Sequence, residues 1–179
     1  MPPVKDSPAD PIPSTVPEHM FVLGIDPGLS VTGYGLVEGG HPPRAHLAGV
    51  IRTDTDAAIA QRLAELHRGL TDVIADSKPD VVALETVFTN RNLQTAISVG
   101  RASGVTLLAA AEAGLQVFEY VPTTIKSAVT GDGSANKKQV QQMVTRLLRL
   151  AGPPKPADAA DALAIALCHL RAAPLEASR

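Results

Sequence analysis

Hydrophobic and polar positions along the first third of the chain predict three short strands. The run FVLGID (21–26) is largely apolar, and VTGYGLVE (31–38) and HLAGVIRT (46–53) alternate with a period close to two. A turn at PGLS separates the first two runs, so we predict an antiparallel meander. Gly33 and Gly35 weaken the second strand, which indicates either a bulge or the close approach of another backbone.

The hydrophobic period changes to that of a helix near residue 56. Apolar residues recur at steps of three and four from Ile59 to Ile74, and Asp54 or Thr55 is available as the N-cap. Beyond this helix the pattern predicts a strand buried on both faces (80–85), a helix (92–113), a strand (115–122), a short helix near 123–129, a helix (136–152) and a last helix (157–173). This order predicts an α/β fold in which helices flank a mixed sheet of three antiparallel strands plus parallel strands.

Composition sets the limits of the predicted domain. The first 20 residues are rich in proline and lack an apolar segment, so we interpret them as a disordered extension, followed by one domain (21–173) and a flexible tail (174–179). The sequence has no run of about 18 uncharged apolar residues, which argues against a membrane span. One cysteine excludes an internal disulfide and is typical of a reducing cytoplasm.

Charge is distributed unevenly along the chain. Residues 1–85 contain 6 basic and 12 acidic residues, whereas residues 86–150 contain 7 basic and 3 acidic residues. The net charge of -2 argues weakly against a general nucleic-acid binder, but the asymmetry permits a basic surface for a polyanion beside an acidic cluster.

Four carboxylates stand at positions where an α/β fold builds sites. Asp26 and Glu85 end two strands that a right-handed crossover lays parallel, and sites form beyond the carboxyl ends of such strands. Asp158 and Asp161 are three residues apart and therefore share one helical face. The alternatives are that each strand-end acid only meets solvent, and that Asp158 is an N-cap.

Converging carboxylates repel one another unless cations bind between them. Mg²⁺ prefers carboxylate oxygen, and two such ions about 3.5–4 Å apart can clamp the attacking and leaving oxygens of a phosphodiester. We therefore predict a metal site at Asp26, with Pro27 and Gly28 leaving room for a phosphate.

Basic and aromatic side chains lie near the predicted site. Lys137 and Lys138 fall in the first turn of a helix, where they oppose the helix dipole unless an anion binds there; a solvated pair is the alternative. Lys126 precedes a glycine turn and can face the same phosphates. Phe88 follows Glu85 by three residues and serves either as a core residue or as a stacking platform for an unpaired base.

Gly100 and Gly104 give the second predicted helix a face of small residues. This face is suited to close packing against either another subunit or the sheet, and the sequence leaves both possibilities open.

Four blocks of sequence carry a family resemblance. GIDPGLSVTGYG, ALETVF, VFEY with IKSAVTGDGSANKKQV, and PADAADALAIA together resemble the RuvC family of bacterial Holliday junction resolvases, which belongs to the RNase H-like nuclease superfamily. The resemblance runs from about Phe21 to Leu170. It implies an RNase H-like five-stranded sheet, and it places Asp26, Glu85, Asp158 and Asp161 on the family's acidic tetrad.

The resemblance also implies an activity and its partners. The expected enzyme is a crossover junction endodeoxyribonuclease of recombination and DNA repair, which uses two Mg²⁺ ions, with Mn²⁺ as a substitute, and leaves 5′-phosphate and 3′-hydroxyl ends. A C2 homodimer cuts the four-way junction symmetrically, and RuvA and RuvB are the expected protein partners. Lys126 is expected to act in catalysis, and the expected DNA-binding residues are Phe88, Arg91, Lys126, Lys137 and Lys138.

Three other functions compete with this prediction. An RNase H-like nuclease for structured RNA shares the acidic site, and a non-catalytic module for branched DNA shares the fold but does not require four acids. An actin-like ATPase also has a strand that ends in Asp, but it needs two domains, and 179 residues are too few.

Overall fold

A mixed five-stranded sheet forms the centre of the fold. The computed structural model describes residues 19–86 and 93–176, and within them the strand order is β3-β2-β1-β4-β5. The strands are β1 (Phe21–Asp26), β2 (Val31–Glu38), β3 (Arg44–Arg52), β4 (Val81–Glu85) and β5 (Gln116–Tyr120). The first three pair antiparallel, and β4 lies parallel between β1 and β5. The predicted fold class is confirmed.

Helices cover both faces of this sheet. They are α1 (Ile59–Ser77), α2 (Leu93–Glu112), α3 (Pro122–Thr130), α4 (Lys137–Leu147) and α5 (Ala157–Glu176). One core lies between the sheet and α1 and α2, and a second core lies between the other face and α3, α4 and α5. Among the described residues, none of the helices has the length and apolarity needed to cross a bilayer.

Two predicted helix boundaries are wrong. The N-cap of α1 is Ala58, because Asp54 instead uses its side chain to accept a hydrogen bond from the backbone of Asp56 (2.9 Å) in a tight turn. Helix α4 ends at Leu147, five residues early, because Arg149 adopts a left-handed backbone (φ 51°) that stops a helix.

Helix α5 is buried almost all round between Ala159 and His169 and lies directly on β1 and β2. Its inner face is built from small residues such as Ala159, Ala162 and Ala166, which are at most 1% exposed. The sheet beneath it carries glycine: a Cβ on Gly24 would collide with the Ala162 carbonyl, and one on Gly35 with Leu163. Of the two alternatives predicted for Gly33 and Gly35, the close approach of another backbone is found at Gly33, where a Cβ would collide with the carbonyl oxygen of Asp158, and the β2–β3 pairing is also irregular between Leu36 and Val37.

The predicted extension (1–20) lies outside the described residues except for its last two positions and stays a prediction. The predicted tail (174–179) begins within α5, which continues to Glu176, and its last three residues lie outside the described residues.

Candidate active site

Strand alternation directs two acids towards α5. Val22 on β1 and Val81 and Ala83 on β4 belong to the core beneath α5, so the period of two places Asp26 and Glu85 on that same face. The two strands are parallel neighbours in register, with Ile25 opposite Leu84. The acids that follow these two residues therefore leave the sheet side by side at its carboxyl edge.

The first turn of α5 adds two more acids to this edge. Asp158 lies in that turn and Asp161 follows on the same helical face. Gly33 is the β2 partner of Asp26, and a Cβ at this glycine would collide with the carbonyl oxygen of Asp158. The missing side chain thus lets the start of α5 reach the level of Asp26.

Three of the four acids form a tight cluster. One carboxylate oxygen from each of Asp26, Asp158 and Asp161 lies within 4.8 Å of the others. Among the described residues Glu85 does not join this group, but its charge interacts with those of Asp26 and Asp161. The structure therefore brings together the predicted acids with Glu85 at the margin.

Burial and mutual repulsion raise the pKa values of two of these acids. Burial raises the pKa of Asp26 to about 6, and the negative charges of Asp161 and Asp158 contribute to this rise. Burial raises the pKa of Glu85 to about 7, with further contributions from Asp26 and Asp161. Such shifts mark a site in which nearby cations would stabilise the ionised acids.

Lys137 is the cation in contact with the cluster. Its ammonium donates to Oδ2 of Asp161 at 2.7 Å, and this hydrogen bond raises the pKa of Lys137. A capping box fixes the start of α4: Asn136 Oδ1 accepts from the backbone of Gln139, and Gln139 Oε1 accepts from the backbone of Asn136. The backbone of Lys137 is therefore held beside the acids although its side chain is half exposed.

A cavity of about 200 Å³ opens beside the acids and lysines. Its charged side is formed by Glu85, Lys126, Lys137 and Asp161, and its apolar side by Pro122, Ile125, Val140 and Ala164. Lys126 thus shares a cavity with the acids, as its predicted role requires. Lys138 is exposed on the next position of α4, and Phe88 and Arg91 lie outside the described residues.

The turn after Asp26 is shaped by its own backbone. A Cβ on Gly28 would collide with the carbonyl oxygen of Val31, and Thr32 Oγ1 donates to the carbonyl of Gly28 at 2.7 Å. Closure of the turn is therefore a sufficient reason for glycine at this position. The predicted access for a phosphate stays a prediction.

Sequence reasoning missed a buried arginine beside this turn. Arg62 is 8% exposed; its Nε donates to the hydroxyl of Thr53 (3.0 Å) and its Nη2 to that of Ser30 (2.7 Å). Among the described residues no carboxylate lies within 4.0 Å of it. The sequence did contain a sign of this burial, because Arg62 falls on the same helical stripe as the buried Leu66 and Leu70.

The donor set fits hard divalent cations. Three converging carboxylates offer oxygen ligands without soft sulfur or imidazole groups, which is the chemistry that Mg²⁺ and Mn²⁺ prefer. Repulsion among the ionised acids destabilises the metal-free site, and a bound divalent cation would remove this repulsion.

The raised pKa values predict a reversed dependence of stability on pH. Ordinary values are 3.8 for Asp26 and 4.5 for Glu85, so between about pH 4 and 7 the folded protein binds more protons than the unfolded chain. Without metal, the stability contributed by these groups is fully present below about pH 4, falls as pH rises from about 4, and is lost once pH has passed the folded pKa values of about 6 and 7. Urea unfolding in EDTA at several pH values, compared with Asp26→Asn, measures this contribution.

A divalent metal should reverse that trend, since it binds the ionised acids and its stabilisation grows with pH. A hundredfold excess over Kd stabilises by about 2.7 kcal/mol. An increase in the free energy of unfolding on adding metal that is equal at pH 5.5 and pH 8 would contradict the assignment of these acids as metal ligands.

An RNase H-like sheet with carboxylates gathered at the carboxyl edge of its central strands defines a class of nucleases with an acidic, metal-binding site. Within that class, residues 22–169 match the family model described as crossover junction endodeoxyribonuclease RuvC. The chain therefore belongs to the RuvC family, as its sequence motifs predicted.

Individual relatives agree with this membership. The RuvC crossover junction endodeoxyribonuclease of Salinispora arenicola is 52% identical over 153 residues, which cover 84% of this chain and 87% of the relative. The structure of Thermus thermophilus RuvC in complex with a Holliday junction substrate has 38% identity and a TM-score of 0.84, and the match covers 89% of this chain and 98% of that one. The yeast mitochondrial resolvase Ydc2 (17% identity, TM-score 0.62, 89% and 84% covered) shares the fold.

Proposed function

We propose that this chain resolves Holliday junctions by paired, symmetric nicks that leave 5′-phosphate and 3′-hydroxyl ends. The observation that carries the proposal is the cluster of Asp26, Asp158 and Asp161, with Glu85 beside it, in a chain of the RuvC family. The Thermus relative, which binds the junction as its substrate, supports the choice of DNA. Recombination and DNA repair are the processes that supply such a substrate.

The acids would act as ligands of two divalent cations, Mg²⁺ with Mn²⁺ as a substitute. Asp26 lies in the tight cluster and next to Glu85 at the strand ends, and is therefore suited to contact both ions. When bound, the cations lower the pKa of the attacking water and neutralise charge on the phosphate. The contribution of the acids is to fix these positions on rigid elements, a strand end each for Asp26 and Glu85 and a helix start for the other pair.

The lysines would bind the scissile phosphate and stabilise the charge that develops on it. Lys137 is already beside Asp161, and Lys126 lines the same cavity. A phosphate in this cavity would draw the Lys137 ammonium away from Asp161. Lys137 would then pair with Asp161 in the free protein and with the phosphate in the complex. Lys138, Phe88 and Arg91 are proposed to hold the surrounding DNA.

The partner that the symmetry of the junction requires is a second copy of this chain. An apolar stripe on α2 recurs at alternating steps of four and three: Leu93, Ile97, Gly100, Gly104 and Leu107. Leu93 is 74% exposed and Leu108, beside the stripe, is 52% exposed, while a Cβ on either glycine would meet only open space. The small-residue face therefore does not pack on the sheet. Heptad-like spacing of this kind supports helix pairing across a C2 axis.

Leu108→Glu is expected to convert the dimer to a monomer, because it places a charge directly beside the apolar stripe of the proposed contact. Sedimentation velocity at micromolar concentration measures the change, and Gln61→Glu on α1 is the matched control. The monomeric variant should nick one strand at a time, so that singly nicked junctions accumulate. An unchanged dimer would assign the interface to another surface.

RuvA and RuvB are proposed as partners on the family resemblance alone. Co-purification of the three proteins on a synthetic junction tests this association.

A comparison of substrates tests the main proposal. The full-length protein is incubated with a four-way junction, a linear duplex of the same sequence and a structured RNA, each with Mg²⁺, Mn²⁺ or EDTA. Cleavage of the junction alone, dependent on metal, is the expected result. Preferential cleavage of RNA would favour the RNA-processing alternative, and binding without cleavage under any condition would favour the non-catalytic module.

A further inference from the structure

Residues 133–156 form a stretch without negative charge. It contains no acidic residue and five basic residues: Lys137, Lys138, Arg146, Arg149 and Lys155. Helix α1, in contrast, intersperses its arginines with Glu65, Asp72 and Asp76. Surfaces that serve only solubility usually mix both signs, so a continuous single-sign surface favours an oppositely charged partner.

Helix α4 places its apolar residues on one side and its basic residues on the other. Its inner side places Val140 and Val144 in the core, each at most 6% exposed. Its outer side carries Lys138, Gln142 and Arg146 at steps of four, all exposed, and Arg149 follows just past the helix end. We call these four residues the α4 basic face. In the described part of the chain, none of its three cations has a carboxylate within 4.0 Å.

The α4 basic face starts at the candidate active site and leads away from it. The helix begins at Lys137, whose ammonium contacts Asp161. At a rise of 1.5 Å per residue, about 12 Å separate Lys138 from Arg146 along the helix axis. Phosphates on one DNA strand rise by about 3.4 Å each, so this distance spans three to four of them.

We propose that the α4 basic face binds the phosphate backbone of the junction arm that leaves the active site, with Arg146 and Arg149 as its distal contacts. The inference rests on the proposed function, since the arm is reached only from a phosphate held near Lys137. The α4 basic face presents long polar side chains on one helical face, none of them aromatic, and these suit a uniform chain of charges. Contacts of this kind position the duplex without reading its sequence.

Salt dependence of binding tests the proposal. The probe is a fluorescent four-way junction in Ca²⁺, and anisotropy gives Kd between about 50 and 250 mM salt for wild type, Arg146→Gln, Arg149→Gln and the double variant. Each lost phosphate contact should reduce the slope of log K against log salt by about 0.9. The double variant should therefore lose about 1.8 in slope and bind at least several-fold more weakly. Arg68→Gln, an exposed arginine on α1 beneath the opposite face of the sheet, should match wild type.

A second measurement locates the contact. A photocrosslinker can be attached selectively to Arg146→Cys, since the chain's own Cys168 is buried. It should react with the backbone of a duplex arm several base pairs from the cut. Unchanged slope and affinity in the double variant, or crosslinks confined to the branch point, would overturn the proposal. Failure of the proposed function would be seen separately, as a wild-type protein that does not cut the junction in Mg²⁺.

Discussion

Asp26→Asn is expected to reduce cleavage of a four-way junction on the order of 10³-fold while the junction remains bound. The carboxylate belongs to the tight acidic cluster and stands next to Glu85, so its loss weakens both proposed metal positions. A 10³-fold loss corresponds to about 4 kcal/mol of transition-state stabilisation. Single-turnover cleavage in Mg²⁺ measures the rate, and anisotropy in Ca²⁺ measures binding.

The control for Asp26→Asn is Asp72→Asn, which removes the same charge from an exposed position on α1. It should cut at the wild-type rate. The Asp26 variant should also unfold at a higher urea concentration than wild type in EDTA near neutral pH, because it relieves repulsion in the cluster. Undiminished cutting by a well-folded Asp26→Asn protein would exclude the metal-ligand role.

Gly33→Ala is expected to disable the site from a position that carries no functional group. Its new Cβ would collide with the carbonyl oxygen of Asp158, so the start of α5 must move away from Asp26. Overpacking of this kind costs about 1–3 kcal/mol of stability. A displacement near 1 Å of the acids on α5 should lower cleavage on the order of 10²-fold. Urea unfolding and single-turnover cleavage measure the two effects.

Metal binding separates positioning from general damage. If α5 has moved, Mn²⁺ titration of Gly33→Ala should show weaker affinity even at temperatures where the protein is fully folded. Gly152→Ala is the matched control, because a Cβ there meets only open space. Gly152→Ala should have a free energy of unfolding within about 0.5 kcal/mol of wild type and the wild-type affinity for Mn²⁺. Wild-type metal affinity in Gly33→Ala would show that the acidic cluster does not depend on this glycine.

Local sequence patterns predicted most of the fold because each element repeats its own period. The β1 and β4 runs end on acids, and their parallel pairing follows from chain order alone. Strand glycines indicated either a bulge or a close backbone approach, and α5 provides the close approach at Gly33 and Gly35. Family motifs then predicted membership that the comparisons confirm.

Features that depend on contacts between distant segments were missed. One miss was local instead: the N-cap of α1 is Ala58, because the side chain of Asp54 is engaged in its own turn with Asp56. The buried Arg62 is held by hydroxyls of the β1–β2 turn and of the residue after β3. The contact between Lys137 and Asp161 joins two helices whose relative position no periodicity specifies.

The sequence by itself determined where the chain turns, which acids end its strands and to which family it belongs, because these depend on the order and spacing of residues. Only the tertiary structure decided that Asp26, Asp158 and Asp161 form the tight cluster while Glu85 stands at its margin. The physical reason is that α5 can approach β1 and β2 closely only because glycines there carry no side chains. How close the helix comes to the sheet is set by packing between distant segments rather than by any local pattern.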